Sequence, residues 1–94
     1  MKYHLLVETD VQKAYANYLR QRRQQAKLSR KDLSLRSSVP ASTIKKFELT
    51  GQISFRQLLL LWQTLDDLKR LIALTKDLQQ NAPDTIDEVL KDGF

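Results

Sequence analysis

An all-α domain is the fold class this sequence predicts, and three observations carry that reading. Helix-start signals recur along the chain: Thr9-x-x-Gln12, Ser29 with Asp32, Pro40, Ser54-x-x-Gln57 and the Asp66-Asp67 pair. Each offers the unpaired N–H groups of a helix entrance a side-chain oxygen, an acidic first turn or a preset proline φ. Apolar residues after these signals return with a period near 3.6. Finally, the segment Ser29 to Gly51, SRKDLSLRSSVPASTIKKFELTG, reads as two short helices joined by a tight turn.

The elements follow in order. Residues 1–7 include YHLLV, rich in strand formers, and predict a short N-terminal strand. Thr9 predicts the cap of a first helix running to about Ala26, with Val11, Ala14, Tyr15, Tyr18, Leu19 and Arg22 on one face. Ser29 begins a second helix, with Leu33 and Leu35 expected inward and Ser37-Ser38 ending it. Val39 is the expected buried plug of the turn, and Pro40 sets the entry of a third helix. There Ile44 and Phe47 are expected inward and Ser42, Thr43, Lys45 and Lys46 outward, with Gly51 closing the helix in a left-handed conformation.

A capping box at Ser54–Gln57 opens a strongly apolar fourth helix through Leu65, with Trp62 in the core and Leu58, Leu61 and Leu65 facing other helices. Asp66-Asp67 start a fifth helix carrying Leu68, Leu71, Ile72 and Leu74. Gln79 to Asn81 read as a linker, so the chain divides into a domain over 1–78 and a tail over 79–94. In that tail Pro83 and Asp84 introduce a short helical appendix.

Composition narrows the function. The 94 residues are 41% hydrophobic and 29% charged, as expected for one globular domain. The absence of Cys excludes disulfides, thiolate catalysis and cysteine-ligated zinc, and a reducing cytoplasm is the expected compartment. The longest apolar run, Leu58 to Trp62, is too short to span a bilayer, so no membrane partner is expected. A signal peptide is not expected either, since Glu8 and Asp10 soon interrupt the first residues. The single His4 has no nucleophile or metal-ligand arrangement around it, and the only glycines, Gly51 and Gly93, make no phosphate-cradling loop. The chain is therefore expected to be no enzyme, with no cofactor and no metal.

Charge is unevenly spread. From Arg20 to Arg56 ten Lys or Arg face only Asp32 and Glu48, a local net of +8 in a chain whose total is +5. Residues 77–94 carry five acids against Lys91, a net of −4. A cationic block on a pair of short helices is the electrostatic and geometric footprint of a DNA reader. A merely solvated helical surface is the competing reading.

The same residues carry a family resemblance. Arg23, Leu28-Ser29, Leu33-Ser34, Val39, Ser42-Thr43-Ile44, Phe47-Glu48, Gly51 and Ser54 with its Leu-rich helix follow the pattern of the Cro/C1-type (Xre) helix-turn-helix family. The resemblance covers Leu19 to about Leu65, half the chain. VPASTIKKFE, then TG and a Leu-rich helix, is most similar to the HipB-type antitoxins that partner HipA-type kinase toxins. Two positions depart from the family: Lys27 and Ser38 stand where it favours glycine.

The resemblance implies a five-helix lambda-repressor-like domain that binds a palindromic DNA operator as a homodimer and represses its own operon. By position Ala41, Ser42 and Lys46 would face base edges with Lys45 beside them. Thr43, Arg30, Arg36 and Arg56 would meet phosphates, and Arg23 would pair with Glu48 as a structural ion pair. The apolar excess of the fourth helix, with Leu68, Leu71 and Ile72, predicts the homodimer interface. Ile86, Val89, Leu90 and Phe94 form an apolar stripe that either folds back on its own domain or docks in a partner's groove, for which the resemblance points to a HipA-type kinase. Two other functions compete with the antitoxin: a stand-alone Xre-type regulator, and an interaction module that has kept the fold without reading DNA.

Overall fold

Asp10 decides where the first helix begins. Its carboxylate accepts a hydrogen bond from the Val7 N–H at 3.0 Å, so helix α1 (Glu8–Gln25) is capped at Val7 and starts earlier than the Thr9 signal predicts. The computed structural model describes residues 5–76, and every regular element among them is helical. The predicted strand is corrected accordingly: Leu5 to Val7 are exposed and belong to no ladder, and its first four residues lie outside the described ones. The linker, the 78/79 boundary, the helical appendix and His4 likewise fall outside them.

Helix α2 (Arg30–Ser37) opens on a reciprocal cap: Asp32 N–H donates to Ser29 Oγ at 3.0 Å, and Ser29 N–H donates to the Asp32 carboxylate at 3.3 Å. Helix α3 (Ala41–Thr50) enters through Pro40, and α4 (Phe55–Leu65) through Ser54, whose hydroxyl accepts from Gln57 N–H. The Gln57 side chain bonds back to that hydroxyl rather than to the Ser54 N–H. Asp67 caps α5 (Leu68–Ala73), and a single 3-10 turn at Leu74–Lys76 follows, taking Leu74 out of the fifth helix.

The core is drawn from four helices and one turn. Ala16 and Leu19 of α1, Leu33 of α2, Val39, Ile44 and Phe47 of α3, and Leu61, Trp62 and Leu65 of α4 are all buried. Leu35 is corrected from buried to exposed, at 77%. Two residues along a helix is a turn of about 200°, so Leu35 points opposite to Leu33 while Ser37, one turn on, goes inward. Ser37 Oγ accepts from the N–H of the Val39 plug at 3.2 Å.

Among the described residues positive φ falls at three positions, each ending a helix or turning the chain between helices: Lys27 (58°), Ser38 (68°) and Gly51 (82°). For the two side-chain-bearing residues this costs on the order of 1 kcal/mol each. Gly51 answers to a tighter constraint. A Cβ there would sit 3.1 Å from the Gln12 carbonyl carbon and 3.2 Å from Lys13 N, so α3 ends directly against the backbone of α1.

A polar joint fastens α4 and α5 to α1. Arg22 donates to the Leu65 carbonyl through Nε (3.0 Å) and Nη2 (2.8 Å), and Trp62 Nε1 donates to the Asp67 carbonyl at 3.0 Å. The Tyr18 hydroxyl donates to Asp66, and Arg70 Nη1 donates to both. The Tyr18 bond, the Asp67 N–H and the Arg70 and Arg22 charges outweigh burial and hold the Asp66 carboxyl below its ordinary value. Tyr15 and Tyr18 rest on Trp62 with ring centroids 5.6 and 5.4 Å away. No helix among the described residues is long and apolar enough to cross a membrane.

Candidate nucleic-acid interface

Helical periodicity gives α3 two faces. Ile44 and Phe47, three residues apart, go into the core at 1% exposure, which turns Ser42, Lys45, Lys46 and Leu49 outward. Four elements hold the helix in that attitude. Pro40 supplies the entry and its carbonyl accepts from Ile44 N–H at 3.0 Å. Gly51 stops the helix against α1, with its N–H donating to the Phe47 carbonyl at 2.7 Å. Thr50 Oγ1 donates to the Lys46 carbonyl and accepts from Gln52 N–H, which ties the last turn to the chain leaving it.

Glu48 is the fourth anchor and the electrostatic centre of the region. Arg23 of α1 grips it through Nε at 2.7 Å and Nη2 at 3.1 Å, a bidentate pair whose side chains are 11% and 3% exposed. Arg23 Nη1 also donates to the Leu28 carbonyl at 2.9 Å. Arg30, at the start of α2, adds a second cation through Nε at 2.8 Å. Burial pushes the Glu48 carboxyl up, but the hydrogen bonds and charges of Arg23 and Arg30 together outweigh it and bring it below its ordinary value. One carboxylate thus joins α1, α2 and α3, and the trio keeps a net charge of +1.

The residues proposed for DNA contact separate into groups in space. Ser42, Thr43 and Lys46 share a cleft of about 480 Å³ with Gln52, Ile53, Ser54 and Gln57. Lys45 is exposed beside them, whereas Ala41 is half-buried at the helix entry. Arg30 is tied by its Nε to Glu48, with its side chain 35% exposed. Arg36 lines a different cleft, of about 280 Å³, with Arg22, Gln25 and Thr64. Arg56 is exposed in the first turn of α4. Of the proposed dimer residues, Leu68 and Ile72 are 38% and 54% exposed, and Leu71 packs partly on the chain's own core. Ile86, Val89, Leu90 and Phe94 lie outside the described residues.

Three features of this surface have no counterpart among the expectations from sequence. Gln52 and Gln57 enter the polar cleft, and their position after Gly51 and within a capping box is the signal that could have found them. Leu49 stands outward on α3 at 69% exposure, visible in advance from its place seven residues after Ser42. Arg30 as a second partner of Glu48 had no sequence signal, since the pair depends on how α2 lies over α3. Comparison of the chain with family models, with curated proteins and with solved structures returns no match.

Proposed function

We propose that this protein is a helix-turn-helix, sequence-specific DNA-binding repressor that acts as a homodimer. The observation that carries the reading is the outward face of α3, where Ser42, Lys45 and Lys46 stand exposed on a helix anchored from behind by Glu48. Such a helix fits the major groove, where lysine donates to guanine O6 or N7 and serine meets donor or acceptor edges. The polar cleft between α3 and α4 supplies neutral donors beside Lys46, suited to the phosphates flanking the groove. The resemblance in sequence extends the proposal to an antitoxin that binds a HipA-type kinase and represses its own operon.

DNA binding is tested with duplexes from the region upstream of the coding sequence, titrated at several salt concentrations. Affinity is expected to fall log-linearly with salt, with a slope of about −0.9 for each phosphate contacted. Lys46→Ala should lower the ratio of specific to random-duplex affinity about tenfold, on the order of one base contact. Arg30→Ala should weaken both duplexes alike. Equal effects of the two substitutions on that ratio would break the assignment of roles, and salt-independent or absent binding would break the proposal itself.

A further inference from the structure

The outward face of α3 holds one side chain that neither the core nor the cationic surface uses. At 3.6 residues per turn, Leu49 lies seven residues and so about two turns beyond Ser42, on the same line. Lys45 and Lys46 flank that line between them, one on each side. The line is opposite Ile44 and Phe47, both buried at 1%, so it is the crest of the helix. Leu49 occupies that crest with 69% of its surface open to solvent.

A lone exposed leucine is ordinary on a protein surface. On the crest of a helix that enters a groove it is an apolar side chain turned toward the groove floor, flanked by the longer lysines. The apolar feature that the major groove offers is the thymine C5-methyl, which distinguishes thymine from the other three bases. Ala41, which the resemblance places at a base edge, is half-buried at the helix entry and has less apolar surface to offer. We propose that Leu49 is a specificity determinant that packs on a thymine methyl in each half-site. The inference rests on the reading of α3 as the groove-entering helix and adds to it an apolar element of the sequence code.

The test begins by selecting duplexes from a randomised pool with the full chain. Each thymine of the best duplex is then replaced in turn by deoxyuridine, which removes the methyl and nothing else. The wild-type protein is expected to lose about three- to fivefold in affinity at one position of each half-site, the value of roughly one buried methyl group. Leu49→Ala should bind the thymine and uracil forms of that position equally, while Leu49→Met should keep the discrimination. Both variants should melt with the wild type, because the side chain is exposed. The inference is overturned if wild type is indifferent to every methyl, or if Leu49→Ala discriminates as wild type does. It is equally overturned if Leu49→Ala weakens all duplexes alike with the methyl preference intact, which would assign the leucine to a protein contact. A pool that enriches no sequence would instead overturn the DNA-binding reading, and the inference with it.

Discussion

Glu48 shows how much one buried carboxylate can organise. Its side chain is 3% exposed and would be costly to bury alone, yet two arginines from two other helices complete its hydrogen bonding. Replacing it by Gln keeps the shape and removes the charge, leaving Arg23 only partly compensated by the Leu28 carbonyl. Chemical denaturation should show Glu48→Gln less stable by about 2–3 kcal/mol at neutral pH, below the cost of a fully buried pair because Arg30 can turn to solvent. The pH dependence has a definite sign. The folded carboxyl lies below its ordinary value, so its contribution is complete above the unfolded value of about 4.3 and fades as the pH drops through the folded one. The difference between wild type and Glu48→Gln should therefore shrink below about pH 4. A difference that stays constant down to pH 2 would show that Glu48 acts through packing alone. The Arg23–Glu48 pair could be named in advance only through the resemblance, since nothing local links residues 25 positions apart. The Arg30 bond was not legible at all.

At the scale of elements, starts were more legible than faces. Ser29, Pro40 and Ser54 open helices as their chemistry predicts, because a cap acts within one turn and needs no tertiary information. Thr9 misled because a rival capping group, Asp10, stood one residue away and reached Val7. Leu35 misled because an eight-residue helix offers only about two turns, too few for periodicity to settle which leucine goes inward. The left-handed positions at Lys27 and Ser38 suggest an element-level measurement. Ser38→Gly should raise stability by about 0.5–1 kcal/mol, since relief of the left-handed strain outweighs the added freedom of the unfolded chain. A melting temperature that falls instead would mean that the Ser38 side chain is held by something stronger than its backbone conformation costs.

For the whole molecule, the all-helical class was legible because periodicity and caps agree along most of the chain. The predicted strand was not sustained, since Leu5 to Val7 find no ladder partner among the described residues. Partnership is the property best argued at this scale. Leu68, Ile72 and Leu74 leave apolar surface open on α5 and the turn after it, and a two-fold reader of a palindrome needs a second copy about 34 Å away. Sedimentation equilibrium at micromolar concentration should give twice the chain mass, and Ile72→Glu should give the single chain mass with an unchanged melting profile. A wild-type chain that sediments as a monomer would place the apolar surface of α5 outside any self-association.

The way α5 is attached carries a consequence for how the molecule comes apart. None of its residues is fully buried, and beyond the partial packing of Leu71 and the Trp62–Asp67 bond its tether is the hydroxyl, carboxylate and guanidinium of Tyr18, Asp66 and Arg70, with Arg70 61% open to water. Water can substitute for such bonds at little cost, whereas the apolar centre shared by α1 to α4 opens only when the chain unfolds. Helix α5 can therefore detach from a still-native remainder, and under the proposed function pairing through it would weaken without disturbing the outward face of α3.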